Sequence, residues 1–329
     1  MPGPTPFIRP PWNFAAQTLA PRWVLHNILL LPRTLKWEVN WRVHPGSGHF
    51  DIRGIQRGTH VSGLWRDLTG VAQAAMLHTD GVLPVASGEL VAVGVRGELL
   101  MRCGSRASVV FGDSVQWLGR RFDSETPEPQ ATDRRGWVGG SLLQGPSRTA
   151  AVWHGGIPDA LGDGAATVTA LSDSGWLAGR THDGQLFARK HEQNVQLPFS
   201  PFTARAVAFA DDETLFGTVA TGAGHTSVFA WSWHRGLQIL PAYESPRDRL
   251  IMVNAQGDRL GCAQDEQGFL RSYVAFRTGE LLSHEDVYGL PQGEQVVRLG
   301  ALDDEGRVAG LTDRGAVFLA ELTGEYARR

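Results

Sequence analysis

Carboxylates recur in this sequence at several tight turns. Asp133, Asp173, Asp211 with Asp212, and Asp303 with Asp304 and Glu305 each stand just ahead of a short apolar stretch. Carboxyl groups held close together can divide acid and base roles or ligate a hard cation. The same residue type is also what a tight turn uses to hydrogen-bond its own backbone. Because these acids return at one repeat position, the turn reading accounts for them without chemistry. Three of the eleven histidines, His154, His191 and His234, precede short closing strands in successive units. A zinc site needs its ligands at bond length around one point, and no His-x-His or His-x-x-x-His pair supplies a start, so no metal is expected. There is no nucleophile elbow and no phosphate-cradling loop. The run Gly136-Trp137-Val138-Gly139-Gly140 opens no helix, so no cofactor is expected and no catalytic residue is assigned.

The remaining candidates bind rather than react. Trp137 and Trp176 share one position, directly after a turn glycine, in neighbouring units. Elsewhere that position holds Glu98, Thr214, Asp258 or Arg307, which reads as a solvated site. Two indoles there, with Arg134, Arg135, His154, His191 and His234 nearby, would form an interaction patch. The plainer reading folds each indole over its own turn. Arg53 and Arg298 fall on expected innermost strands and would face a central channel.

These residues are positioned by a repeat. Anchored on Gly63, Met101, Gly140, Gly179, Gly217, Gly261 and Gly310, seven segments follow one another at spacings of 38 to 49 residues. Nine residues before the anchor stand Ala92, Ala131, Ala170, Ala208, Met252 and Ala301, with Gly54 matching once one extra residue is allowed for. Each is followed by an apolar residue except Ala131, which precedes Thr132. Small side chains are what crowded innermost strands need where sheets converge. Each segment reads as four short strands, as in Thr167–Leu197, and four strands per roughly 40 residues is the period of a propeller blade. The expected fold is all-β: a single-domain seven-bladed β-propeller. The blades span about 50–87, 88–119, 129–162, 166–198, 204–242, 249–283 and 295–322. The last segment lacks a fourth strand, and the alternating Thr34–Val43 is expected to supply it and close the ring. Residues 1–33, rich in proline, would lie along the outer wall through Phe7, Trp12, Trp23 and Leu29–Leu31.

Bulk properties agree. Of 329 residues, 40 are glycine and 18 proline, spread evenly as many turns require. A formal net charge of −3 offers no field for nucleic acid or an anionic membrane. Cys103 and Cys262 fall in distant blades and are expected as free thiols. The apolar stretch Trp23–Leu31 is interrupted by His26 and Asn27, is too short to span a bilayer, and follows no charged leader. On this reading the protein is cytoplasmic.

The phrase ALSDSGWLAG (170–179) with DGQLFARK (183–190), and its counterpart at 301–322, resembles the HAF-type repeat of bacterial propeller-like proteins, the "extracellular repeat" family. The likeness covers about residues 50–322. Where those repeats carry His-Ala-Phe, this chain has Ala74-Ala75-Met76, Ala150-Ala151-Val152 and Ser227-Val228-Phe229. The resemblance implies a propeller and no catalytic residues. Members are often exported, in contrast to the cytoplasmic reading. Ser172–Trp176 also resembles the sialidase Asp-box, at the wrong spacing.

The leading functional expectation is a non-enzymatic scaffold that binds a protein or peptide. A propeller hydrolase or lyase with its site at the channel mouth is the alternative, using Arg53, Arg298 and the turn carboxylates. A carbohydrate-binding propeller, with Trp137 and Trp176 as stacking platforms, is the third.

Overall fold

Short apolar runs broken by glycine turns produce strand after strand. In the computed structural model the described residues are 35–323, apart from 47, 57, 95, 96, 113, 163, 223, 241–246 and 265–269. Among them there is no α-helix, only a single 3-10 turn at His284–Asp286. Residues 1–33, expected on the outer wall, lie outside the described residues. Seven sheets form, and in six of them four strands, A to D, pair antiparallel in sequence order. The inner A strands are His49–Gln56, Glu89–Val93, Thr126–Thr132, Ala165–Leu171, Ala204–Phe209, Asp248–Val253 and Val296–Leu302. They define blades one to seven.

Blade seven is completed from the other end of the chain, as expected. Lys36–Val43 pairs antiparallel with Val317–Thr323 as the fourth strand. Val287–Tyr288 then adds a short fifth strand, parallel to Lys36–Val43, which the repeat pattern did not announce. Trp37 fixes the closure. Its side chain is fully buried and its indole N–H donates to the Gly306 carbonyl at 3.1 Å. Arg42 adds a charged clasp, with Nε donating to Glu294 Oε1 at 2.8 Å.

The core lies in layers between neighbouring blades. Trp176, Leu186 and Leu197 of blade four pack with Ala206, Leu215 and Phe229 of blade five. Leu100 and Leu118 of blade two meet Val138 and Trp153 of blade three.

Every A strand carries a β-bulge at one register, between Ile52 and Gly54 in blade one and at the matching pairs in the other six. The extra residue in each (Arg53, Val91, Gln130, Thr169, Val207, Ile251 or Gly300) lines the central cavity. The bulge also explains the anchor glycines. It presses the carbonyls of Asp51, Glu128, Thr167, Arg205 and Arg298 against Gly63, Gly140, Gly179, Gly217 and Gly310, where a Cβ would collide with them. In three blades an aromatic ring from strand C, Phe229, Tyr273 or Phe318, fills the space above the glycine. Blade two inverts the arrangement, setting Met101 opposite Ser108.

Candidate functional site

The A strands surround a central cavity of about 1520 Å³. Its two ends differ in chemistry, because the A strand presents different residues at its start and at the turn that follows it.

At the turn end, two adjacent positions do different work. The first caps the turn. Asp133 Oδ1 accepts from the backbone N–H of Arg135 and of Trp137, both at 2.9 Å, and Asp303 Oδ1 does the same for Glu305 (3.0 Å) and Arg307 (2.9 Å). Ser172 and Asn254 take this place in blades four and six, accepting from Trp176 and Asp258 at 2.8 Å. The turn reading of Asp133 and Asp303 therefore holds.

The next position faces the channel mouth. Arg134 occupies it in blade three, and Asp173, Asp211 and Asp304 occupy it in blades four, five and seven. Arg134 joins all three: its backbone N–H donates to Asp173 at 2.9 Å, Nη1 to Asp211 at 3.0 Å and Nη2 to Asp304 at 2.9 Å. Asp304 also accepts from the Ala255 N–H at 2.8 Å. One arginine thus ties four blades together across the mouth. Burial pulls the Arg134 pKa down, but Asp304 and then Asp211 outweigh it and hold the pKa above the ordinary arginine value.

The aromatic patch is only partly where the sequence placed it. Trp137 is half-buried on the turn-bearing face, with the Arg135 guanidinium 3.6 Å from its ring centre and the His154 ring centroid at 3.8 Å. Trp176 is not at a solvated site. It is 2% exposed, edge-on to Trp231 at 5.3 Å, and its indole N–H donates to Glu213 at 3.0 Å. In blades two and four the position after the turn glycine is buried, for Glu98 as for Trp176. Polar identity at a repeat position had stood in for exposure, and it misled. Glu213 is fixed in turn by Lys190, whose Nζ lies 2.9 Å away. Lys190 first, then Ser174, hold its carboxyl below the ordinary glutamate range. Glu213 adopts φ 63°, where five other blades have glycine at positive φ.

What reaches solvent beside Trp176 is Trp233, 47% exposed and 6.0 Å from Trp176 between ring centroids. The sequence reading missed it. Its signal was a second tryptophan in the blade-five turn that already holds His234. His191 and His234 are exposed in their own blades, and among the described residues no group of three metal-ligating side chains forms.

At the opposite end of the channel, the position three residues before the small residue changes sign around the ring. It carries Asp51, Glu89 and Glu128 in blades one to three, Thr167 in blade four, and Arg205, Arg249 and Arg298 in blades five to seven. The acids are already engaged. Asp51 lies 2.9 Å from Arg53 and 3.2 Å from Arg298. Glu89 pairs with Arg102, and Glu128 with Arg148 at 2.8 Å and Arg102 at 3.4 Å. Arg53 and Arg298 do face the channel, as expected, as two partners of one aspartate.

No protein-family model matches the sequence, and no curated protein sequence does. Solved structures similar to this chain include YCF48 from Cyanidioschyzon merolae, at 11% identity over 88% of this chain and 98% of that one, with a TM-score of 0.49. The BBS1N chain solved in complex with ARL6DN is 14% identical over 90% of this chain and 99% of its own, with a TM-score of 0.47. TolB from Acinetobacter baumannii is 10% identical over 84% and 80%, with a TM-score of 0.44. No function is carried across at these identities.

Proposed function

We propose that this propeller is a non-catalytic platform for a protein or peptide, recognised on the turn-bearing face of blades three to five. The observation that carries the reading is the exposed Trp233, braced on the buried Trp176, with Trp137 held between Arg135 and His154 on the same face. Rigid aromatic rings flanked by guanidinium and imidazole groups give large contact area at little entropic cost, which is how interface anchors work. The likeness of the repeat to HAF-type propellers, which implies no catalytic residues, supports the same reading.

The two alternatives fit less well. An enzyme at the channel mouth would draw on carboxylates already committed to Arg134 and to turn N–H groups. A sugar platform built on Trp137 and Trp176 loses Trp176 to the core and finds Arg135 already lying over Trp137. Selection of displayed random peptides on the immobilised protein tests the platform. A consensus peptide should emerge whose binding falls about tenfold or more in Trp233→Ala, with the circular dichroism spectrum unchanged. Failure to enrich any sequence, or a consensus indifferent to Trp233→Ala and Trp137→Ala, would overturn it.

A further inference from the structure

The end of the channel away from the turn-bearing face holds cations that have no carboxylate partner among the described residues. Arg205 and Arg249 occupy matching positions on adjacent inner strands and line the cavity. Their guanidinium groups meet no carboxylate within ion-pair distance among the described residues. Arg42, Arg53, Arg102, Arg134, Arg135 and Arg298, by contrast, each have such a partner. Five arginines line this wall, Arg53, Arg205, Arg247, Arg249 and Arg298, and among the described residues Asp51 is the one acid that lines it with them. Arg180 crowds the same corner, its guanidinium donating to the Ala204 carbonyl at 3.1 Å.

We propose that Arg205 and Arg249, with Arg298 at the flank, form a binding site for a small polyanion: a phosphorylated or polycarboxylate molecule bearing two or three negative charges. Guanidinium forks match the paired oxygens of phosphate and carboxylate. A single carboxylate would leave most of the charge standing, so the count favours a di- or trianion. Like charges held together without a counter-ion destabilise one another, which bears on the Arg205 pKa. Burial, then Arg249, then Arg180, pulls it below the ordinary arginine value. The site is independent of the peptide platform, at the other end of the channel, so either can fail without the other.

Thermal melts of the full chain, read against sodium chloride at equal ionic strength, test the site with pyrophosphate, citrate and acetate as probes. Pyrophosphate or citrate should raise the wild-type melting temperature with concentration, as selective binding to the folded state requires, and acetate should not. Whichever of the two acts more strongly identifies the oxyanion class. Arg205→Gln and Arg249→Gln should each weaken that response about tenfold or more, and Arg205→Lys should keep part of it. Without any anion, Arg205→Gln should melt higher than wild type, because a repulsion is gone. Three results would overturn the proposal: polyanions no better than sodium chloride or acetate, Gln variants responding like wild type, or a ligand-free Arg205→Gln that melts lower.

Discussion

Replacing Arg134 would leave the carboxylates of Asp173, Asp211 and Asp304 facing one mouth with no cation among them. Arg134 is about a third exposed, so solvent and salt screen each contact. Arg134→Gln is therefore expected to cost about 1 kcal/mol in urea unfolding at low salt, with the deficit shrinking as salt is added. A deficit independent of salt would show that packing, and not charge, holds the mouth. At this scale the sequence was half legible. Recurrence identified Asp133 and Asp303 as turn residues, because capping is local. It grouped Asp173, Asp211 and Asp304 with them, because the one-residue offset that turns these toward the channel appears only once the strand ends are placed. Trp176 is placed at the surface and Trp233 overlooked for a related reason: exposure depends on the neighbouring blade, not on the turn that carries the residue.

Among the elements, the bulged A strand and the closing strand carry the architecture. Gly179→Ala would drive a methyl group into the Thr167 carbonyl, a backbone atom that cannot give way cheaply. A loss of about 1–3 kcal/mol is expected, measured by chemical denaturation. The anchor glycines were plain in the sequence, but their cause was not, since the bulge is a property of cross-strand register. At the closing strand, Glu294 is buried. Burial would raise its pKa, but the Arg42 guanidinium and the Thr312 hydroxyl outweigh this and hold it below the ordinary 4.5. A carboxyl with a depressed folded pKa contributes stability that is present above its unfolded pKa and lost as pH falls through the folded value. The wild-type melting temperature should therefore drop as pH falls below about 4.5 by more than that of Glu294→Gln. Parallel pH profiles would show that the Arg42–Glu294 pair contributes nothing to closure.

For the whole molecule, blade number and all-β character were legible because both follow from period and turn spacing, which are local. Ring closure was legible too, because a missing last strand and a spare alternating first one can be counted. The charge pattern of the channel was not. The contacts that set it, such as Arg134 with Asp304 and Arg298 with Asp51, join residues 170 and 247 positions apart. Only a closed ring brings them together, and the binding face and the polyanion site both assume that ring is rigid. Hydrogen exchange at the amides of Lys36–Val43 is the most direct measurement of it. Closure predicts that amides bonded to Val317–Thr323 exchange as slowly as those of Val308–Thr312 in the middle of the same sheet. Exchange at the rate of an unstructured peptide across Lys36–Val43, with the rest of blade seven protected, would contradict it.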